Sequence, residues 1–447
     1  MVEQPASPAL LLVGGARPIP FSLDMALQAL SQAGSRGIRT HVTAPASALA
    51  ATPAVAAAAH EVSALGFAPP RETVEWAARR AADGEGFDAV YALQEMAQVA
   101  VAETARAVGA PGNPPDAVRR VRTKDVCRAA LAAAGFPQPG FRLCADAAEA
   151  AAYLRESAGP WIVKPRDAMG STGVSQISGP AELPAALALL PGSGPFLVEE
   201  FVEGPEFSVE GVFLDGVPTV LAVTAKEKTA PPFFVELGHV LPAELPPERR
   251  EEIERQVRSA LTTLGLRTGG FHVELWTTPA GIVLGEVHAR FGGDWIHRML
   301  AHAIPGLELF GLVFDDMLGL PTNRPALEAV RGAAVRYLVP PPGRLLAVDG
   351  WDEVRAHPAV LYAELNAAPG DRIGPVHKSG DRVGVVVVGA DGPAEARRLA
   401  LELAESVRFV TDADAGTGAD AGTGADAGTG ADAETVPDRT PDVAAGR

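Results

Sequence analysis

Cysteine is almost missing from this chain: Cys127 and Cys144 are the two in 447 residues. Both sit in or beside apolar helical or strand patterns, so buried thiols are expected and a disulfide framework or metal pair is not. Basic clusters are missing too. Lys and Arg number 38 against 55 Asp and Glu, a formal charge of −17, and no basic tail or patch is visible, which argues against nucleic acid as a partner. No apolar run has the length of a bilayer span, because the Ala-rich stretch 44–59 is interrupted by Pro45, Ser47, Thr52 and Pro53. Residues 1–15 lack the basic start and long apolar core of a secretory signal, so the cytoplasm is the expected location. Two nucleotide signatures are absent. Val13-Gly14-Gly15-Ala16-Arg17-Pro18 is not G-x-G-x-x-G, and no G-x-x-x-x-G-K-[ST] precedes a helix.

What is present describes a globular protein of two or three domains, with 47% hydrophobic and 21% charged residues over 447 positions. Strand patterns at 9–13, 39–42 and 87–92 alternate with helical patterns at 22–33, 71–83 and 95–108. Such alternation predicts a small parallel, doubly wound sheet over residues 1–117. Gly14-Gly15 reads as a turn at a strand's carboxyl end. Pro111-Gly112-Asn113-Pro114-Pro115 marks a boundary, after which a helix opens with Thr123 as its N-cap and runs through Lys124 to Ala134. The α+β pattern that follows gives a central domain over 118–325. A third region, 326–410, holds strand patterns at 334–339 and 383–388 and a closing helix at 393–407, and reads as a small α+β lid or packing domain. From Asp414 to Ala431 the sequence repeats Asp-Ala-Gly-Thr-Gly-Ala three times with no large apolar side chain. Residues 411–447 carry eight acids and two bases and are predicted to be disordered and dispensable for chemistry.

The residues with chemistry lie in the central domain. Phe271-His272-Val273-Glu274-Leu275-Trp276 and Ile282-Val283-Leu284-Gly285-Glu286-Val287-His288 read as adjacent antiparallel strands joined across Thr277 to Gly281. They would aim Glu274, Glu286 and an imidazole at one point, with Arg290 and the permissive backbone of Gly292-Gly293 beside them. Hard oxygen ligands next to an arginine suit a Mg-nucleotide. Upstream, the strand Trp161-Ile162-Val163-Lys164-Pro165 leads into a small-residue loop containing Gly170, Ser171, Thr172 and Gly173. Backbone N–H groups there, with Lys164 as a point charge, fit a phosphate, although an ordinary hairpin turn would look the same. In Phe196 to Gly211 two strands meet at Glu203-Gly204-Pro205. Glu200, Phe201 and Val202 could pair with an adenine edge and Glu206 with ribose hydroxyls. A plain hairpin with solvated carboxylates on one face is the alternative.

In this order the motifs resemble the ATP-grasp superfamily of carboxylate–amine ligases. The resemblance covers about 118–320, through Lys124, Ile162-Val163-Lys164-Pro165, the glycine loop, Glu199-Glu200-Phe201-Val202-Glu203-Gly204-Pro205-Glu206 and the Glu274, Glu286 and Arg290 cluster. It implies an ATP-grasp fold with an N-terminal doubly wound domain, a central domain of two subdomains and a small C-terminal α+β domain. ATP would lie between the subdomains. Lys124 and Lys164 would contact phosphates and the adenine side, with Glu199 and the hinge residues Glu200, Phe201 and Val202 nearby and Glu206 on the ribose. Glu274 and Glu286 would ligate two Mg²⁺ ions, with Mn²⁺ as a substitute and Glu286 bridging. His288 stands where the family usually has asparagine, and imidazole suits softer metals better than Mg²⁺. Arg290 would bind the transferred phosphoryl group or an acyl phosphate.

The segment 223–239 is a candidate cover and substrate wall. It is similar to a Glu-x-x-His segment of the amino-acid (dipeptide) ligase branch, so Glu236 would accept an amino group and His239 would reach the reacting carboxyl or phosphate. His272, His297 and His302 read as structural. The partners implied are a small carboxylate and an amine, with no nucleic acid or membrane, and a homodimer is allowed. Two alternatives stand beside this. The biotin carboxylase and purine-pathway branch shares the ATP site and resembles Val339-Pro340-Pro341-Pro342-Gly343 and Ser379-Gly380-Asp381-Arg382-Val383-Gly384, and a non-catalytic ATP-binding protein would keep the same cleft.

Overall fold

The computed structural model describes residues 7–321 and 326–412. Near its start the apolar run Ala9–Val13 is completely buried, as a strand covered on both faces must be. It pairs in parallel with Arg39–Ala44 on one side and Ala89–Tyr91 on the other. A fourth strand, Glu61–Ala64, extends the sheet at its edge. That strand has no apolar run and is largely exposed, so it leaves no clear mark in the sequence. Helices Pro20–Gly34, Pro70–Ala82 and Gln98–Val108 fall where expected, but the last is preceded by a 3₁₀ turn, Glu95–Ala97. The boundary at 111–115 is followed directly by another helix, Pro115–Arg122, whose first residue is a proline that has no N–H to leave unpaired. Thr123 holds the N-cap position of Lys124–Ala133, yet its side chain makes no capping hydrogen bond, contrary to the reading of its sequence.

Two antiparallel sheets follow. The smaller has the order Phe141–Cys144, Phe196–Glu200, Trp161–Pro165, Ser175–Ile177. The larger has eight strands: Gly281–His288, Gly270–Thr278, Glu206–Leu214, Val217–Lys228, Glu236–Leu241, Gly332–Leu338, Gly384–Ala390 and Val360–Leu365. Phe196–Glu200 and Glu206–Leu214 therefore belong to different sheets, which removes the plain-hairpin alternative. Residues 201–205 are the crossing between them. Gly204 there has φ +150°, and a Cβ on it would lie 2.2 Å from the Thr277 carbonyl oxygen, so the crossing requires glycine.

Alternation along the large sheet makes one face polar and the other apolar. Phe207, Val209, Val273 and Leu275 point away from the cleft. They pack on Ile253, Val257, Leu261 and Leu264 of the helix Pro247–Leu264. Full burial of each such side chain contributes roughly 1.5–3 kcal/mol. Glu206, Ser208, Glu210, Glu274 and Glu286 take the other face.

The region expected to form a small C-terminal α+β domain adds its strands to this sheet: Gly332–Leu338 pairs with Glu236–Leu241, and Gly384–Ala390 and Val360–Leu365 follow. Helix Pro393–Ser406 covers its back through Ala396 and Ala400. A small separate sheet pairs Gly343–Asp349 with Arg372–Ile373 and Arg408–Thr411, so ordered chain runs past residue 410. The repeat at 414–431 lies outside the described residues. Both cysteines are buried free thiols, and among the described residues no helix is long and apolar enough to cross a membrane.

Candidate active site

The Gly270–Thr278 and Gly281–His288 strands pair as expected, with His272 opposite His288 and Val273 opposite Val287. The register then shifts, because Leu275 faces Leu284, so Gly285 and Glu286 together oppose Glu274. This bulge re-aims the two carboxylates. Neither is idle: Lys226 Nζ lies 3.0 Å from Glu274 Oε1, and Lys124 Nζ lies 3.4 Å from Glu286 Oε1. Burial alone would raise both carboxyls. The lysines and histidines around them outweigh it, holding Glu274 and Glu286 below the usual carboxylate range and therefore ionised. Two ionised carboxylates in contact with cations fit a divalent cation. Among the described residues no three His, Cys, Asp or Glu side chains form a closed metal cage. That suits Mg²⁺, which is commonly held by one or two carboxylates and completed by phosphate oxygens and water.

Facing this cluster is the smaller sheet, and a cleft opens between the two sheets. Lys124, Lys164, Gly170, Ser171, Thr172, Glu199, Glu200, Phe201, Val202, Glu206, Glu236, Glu274, Glu286, His288 and Arg290 all border it. Two expected site residues do not. Gly173 faces the other way, where a Cβ would lie 3.0 Å from the Leu189 carbonyl oxygen, so its role is close packing of the loop. His239 borders the neighbouring cavity instead.

Several roles change with the geometry. Glu199 is buried and its carboxylate is taken by Arg128 Nη2 at 2.9 Å and Lys164 Nζ at 2.8 Å, so it fixes Lys164 in place. Burial pulls the Lys164 ammonium below its ordinary value, and Glu199 opposes that. The Glu200 and Phe201 N–H groups donate to the Gly140 and Pro160 carbonyls, which leaves the Val202 N–H as the hinge amide without a partner among the described residues. Glu206 receives Lys226 at 2.6 Å and also binds Lys228. Burial would lower Lys226, but Glu206, Glu274 and Glu236 outweigh it and keep the ammonium charged. Lys124 donates to the Ala168 carbonyl at 2.6 Å and so ties the glycine loop to Glu286.

The expected cover at 223–239 is mostly strand. Only the tip between Val217–Lys228 and Glu236–Leu241 is free of the sheet. That tip reaches the glycine loop: Ser171 Oγ donates to the Phe234 carbonyl at 2.9 Å, Gln176 N–H to Pro232 at 2.9 Å, and Phe234 stacks on Phe201.

A second cavity adjoins the first, and Gly170, Thr172, Glu236, Glu274 and Arg290 border both. Glu236 accepts from Ser379 Oγ at 3.2 Å. His239 Nε2 is 3.1 Å from Asp294 Oδ2, and Asp294 also accepts from Tyr337 and Arg382. Arg290 sits at the junction. Its Nε donates to Glu95 Oε2 at 2.8 Å and its Nη1 to the Phe291 carbonyl, while Nη2 has no partner among the described residues.

Sequence reasoning missed Glu95, Arg128, Lys226, Asp294 and Arg382. Glu95 did carry a signal, since it follows the carboxyl end of the parallel strand Ala89–Tyr91, where open α/β sheets bind ligands. His272, read as structural, lies 2.9 Å from Glu210 and 3.3 Å from Glu274, so it belongs to the cluster. Burial would lower its imidazole, but the two carboxylates raise it to about 9.

Comparison with known proteins gives the same outline. The ATP-grasp domain family matches residues 157–298, and the L-amino acid ligase C-terminal domain 2 family matches 336–412. The uncharacterized protein y4rH of Sinorhizobium fredii is 30% identical over 336 residues, 72% of this chain and 69% of that protein. Carnosine synthase 1 of Gallus gallus is 34% identical over 152 residues, 34% of this chain but only 16% of that protein's length. The crystal structure of L-amino acid ligase from Bacillus licheniformis superposes with a TM-score of 0.74 at 24% identity, over 91% of this chain and 99% of that one. Structures of phosphoribosylglycinamide synthetase, of N5-carboxyaminoimidazole ribonucleotide synthetases and of a biotin carboxylase domain share the fold at 13–18% identity.

Proposed function

The chain belongs to the ATP-grasp carboxylate–amine ligases, and we propose that it activates the carboxylate of an amino acid or related small metabolite with ATP and joins it to an amine. The observation that carries this reading is the meeting of two cavities at Glu236, Glu274 and Arg290. One has the lysines, glycine loop and hinge of a nucleotide site. The other is bordered by both signs of charge, with Arg17 and Glu236 beside the ion pair of Arg382 and Asp294, as suits a zwitterionic substrate.

In this reading Val202 and its neighbours hold the adenine, Glu206 the ribose, and Lys124, Lys164 and the loop at Gly170, Ser171 and Thr172 the phosphates. Glu274 and Glu286 would hold two Mg²⁺ ions, or Mn²⁺, which supply charge neutralisation as an anionic carboxylate approaches an anionic phosphate. A substrate carboxylate oxygen attacks the γ-phosphorus, the bond to ADP breaks, and an acyl phosphate forms. Arg290 holds the transferred phosphoryl oxygens through its free Nη2. The amine then attacks the acyl carbon, loses a proton and expels phosphate. Glu236 holds the amino group, and His239, fixed by Asp294, is placed at the reacting end of the second cavity. The 229–235 tip over the glycine loop keeps water from the acyl phosphate.

The match to the L-amino acid ligase C-terminal domain over 336–412 supports this branch over the biotin carboxylase and purine branch, because it covers the region where those alternatives also looked similar. This reading also allows a homodimer, which light scattering of the purified protein checks, and places the protein in the cytoplasm, which cell fractionation checks. The function itself is tested by incubating the protein with Mg-ATP and pooled amino acids. Phosphate release that needs both a carboxylate and an amine is expected. Nucleotide binding without turnover would point to the non-catalytic alternative.

A further inference from the structure

His288 and Glu286 share the cleft-facing side of the strand Gly281–His288. The two ring nitrogens of His288 have different neighbours. Nδ1 lies 3.0 Å from Glu95 Oε2, a buried carboxylate brought in by the N-terminal domain. Glu95 is itself fixed, by Arg290 Nε at 2.8 Å and by Arg122, whose Nη1 donates to the Glu95 carbonyl at 2.6 Å. Nε2 lies 3.5 Å from Glu286 Oε2.

A carboxylate at Nδ1 favours the tautomer with its proton there and leaves the Nε2 lone pair free, which is how metal-ligating histidines are oriented. Two donors about 2.1 Å from one ion, at octahedral to tetrahedral angles, stand about 3.0–3.4 Å apart. Glu286 Oε2 and His288 Nε2 are within a small adjustment of that separation. With no third protein ligand in a closed group among the described residues, the other positions of such an ion fall to phosphate oxygens and water.

We propose that Glu95 is a positioning residue that makes His288 a nitrogen ligand, beside Glu286, of a nucleotide-bound divalent ion, and that this biases the site toward Mn²⁺ over Mg²⁺. The proposal rests on the cleft being the nucleotide site. An O/N donor pair disfavours Mg²⁺, which strongly prefers oxygen in a regular octahedron, more than Mn²⁺. It also gives the N-terminal domain a direct part in the chemistry, since one carboxylate of that domain holds both the metal-side imidazole and the phosphoryl-side Arg290.

The test uses the full chain with histidine labelled with ¹⁵N, loaded with Mn²⁺ and ADP and examined by pulsed EPR. Wild-type protein is expected to show a directly coordinated histidine nitrogen. His288→Asn should still bind Mn²⁺-ADP, lose that coupling, and lower the ratio of ADP affinity in Mn²⁺ to that in Mg²⁺ about tenfold; Glu95→Ala should weaken Mn²⁺-dependent ADP binding about 10–100-fold. His288→Asn leaves Glu95 paired with Arg290 and Arg122 and carries the test if Glu95→Ala does not fold. Mn²⁺-ADP bound to wild type without a histidine coupling overturns the proposal, as does an unchanged metal ratio in His288→Asn. Failure of wild type to bind ADP with either metal would instead overturn the nucleotide-site reading.

Discussion

Replacing Glu199 with alanine should damage stability before it damages nucleotide contact. The carboxylate is 3% exposed, and the cations it holds, Arg128 and Lys164, are 2% and 6% exposed. After Glu199→Ala, Arg128 keeps only Gln138 Oε1 at 3.1 Å and the Leu284 carbonyl at 3.5 Å, while Lys164 loses its direct anionic partner. Breaking a buried ion pair from one side costs about 3–5 kcal/mol, a large part of the 5–15 kcal/mol that holds a typical domain together. Lys164→Ala differs, because Glu199 keeps both of its contacts to Arg128. Its expected cost is about 1–3 kcal/mol, with a larger loss of ADP affinity than of stability. Urea titration and calorimetric ADP binding on both variants read the two effects separately. Glu199→Ala unfolding within about 1 kcal/mol of wild type would refute the reading of Glu199 as the buried anchor of Lys164.

Five further outcomes follow from the geometry. Glu286→Ala should abolish turnover, and near-normal rates would remove it from the metal site; Arg290→Ala should lose most of kcat while ADP still binds. Gly204→Ala should destabilise the crossing between the sheets by about 1–3 kcal/mol, measured by thermal unfolding, because of its positive φ and the Thr277 carbonyl. Asp24 links the N-terminal domain to His297 and Arg298, and although burial opposes it, the hydrogen bonds from those two side chains and the Arg298 charge hold the carboxyl down at about 2. A lowered folded value means the stabilisation is present above about pH 4 and is lost as pH falls through about 2, so the stability gap between wild type and Asp24→Asn, about 1 kcal/mol after solvent screening, should close over that range. Removing residues 413–447 should leave activity unchanged, whereas a cut before Thr411 would remove the residue that pairs with Leu345.

The parts legible in the sequence are those fixed by local pattern. Strict alternation in Glu206-Phe207-Ser208-Val209-Glu210 and the turn expected over Thr277 to Gly281, which the structure narrows to Pro279 and Ala280, encode a polar and an apolar sheet face, and with them the Glu274 and Glu286 pair. The buried run Ala9–Val13 likewise announces a parallel sheet. The helix Pro247–Leu264 carried a readable signal in Ile253, Val257, Ala260, Leu261 and Leu264, although its charged surface hides it among polar residues. What the sequence does not display is which distant charges meet. Glu95 and His288 are 193 positions apart, and Arg382 and Asp294 are 88 apart. Their pairing depends on how the N-terminal domain and the extended sheet pack, which no local period encodes. The same holds for Glu199, whose motif suggests a ligand contact until Arg128 is seen to occupy it.

Isotope transfer tests the central claim most directly. With amino acids carrying ¹⁸O in the carboxyl group, ATP and an amine acceptor, the account requires one ¹⁸O from each activated carboxylate in the released phosphate, with ADP and an amide as the other products. Label in AMP, or phosphate release without ¹⁸O, would contradict an acyl phosphate made in this cleft.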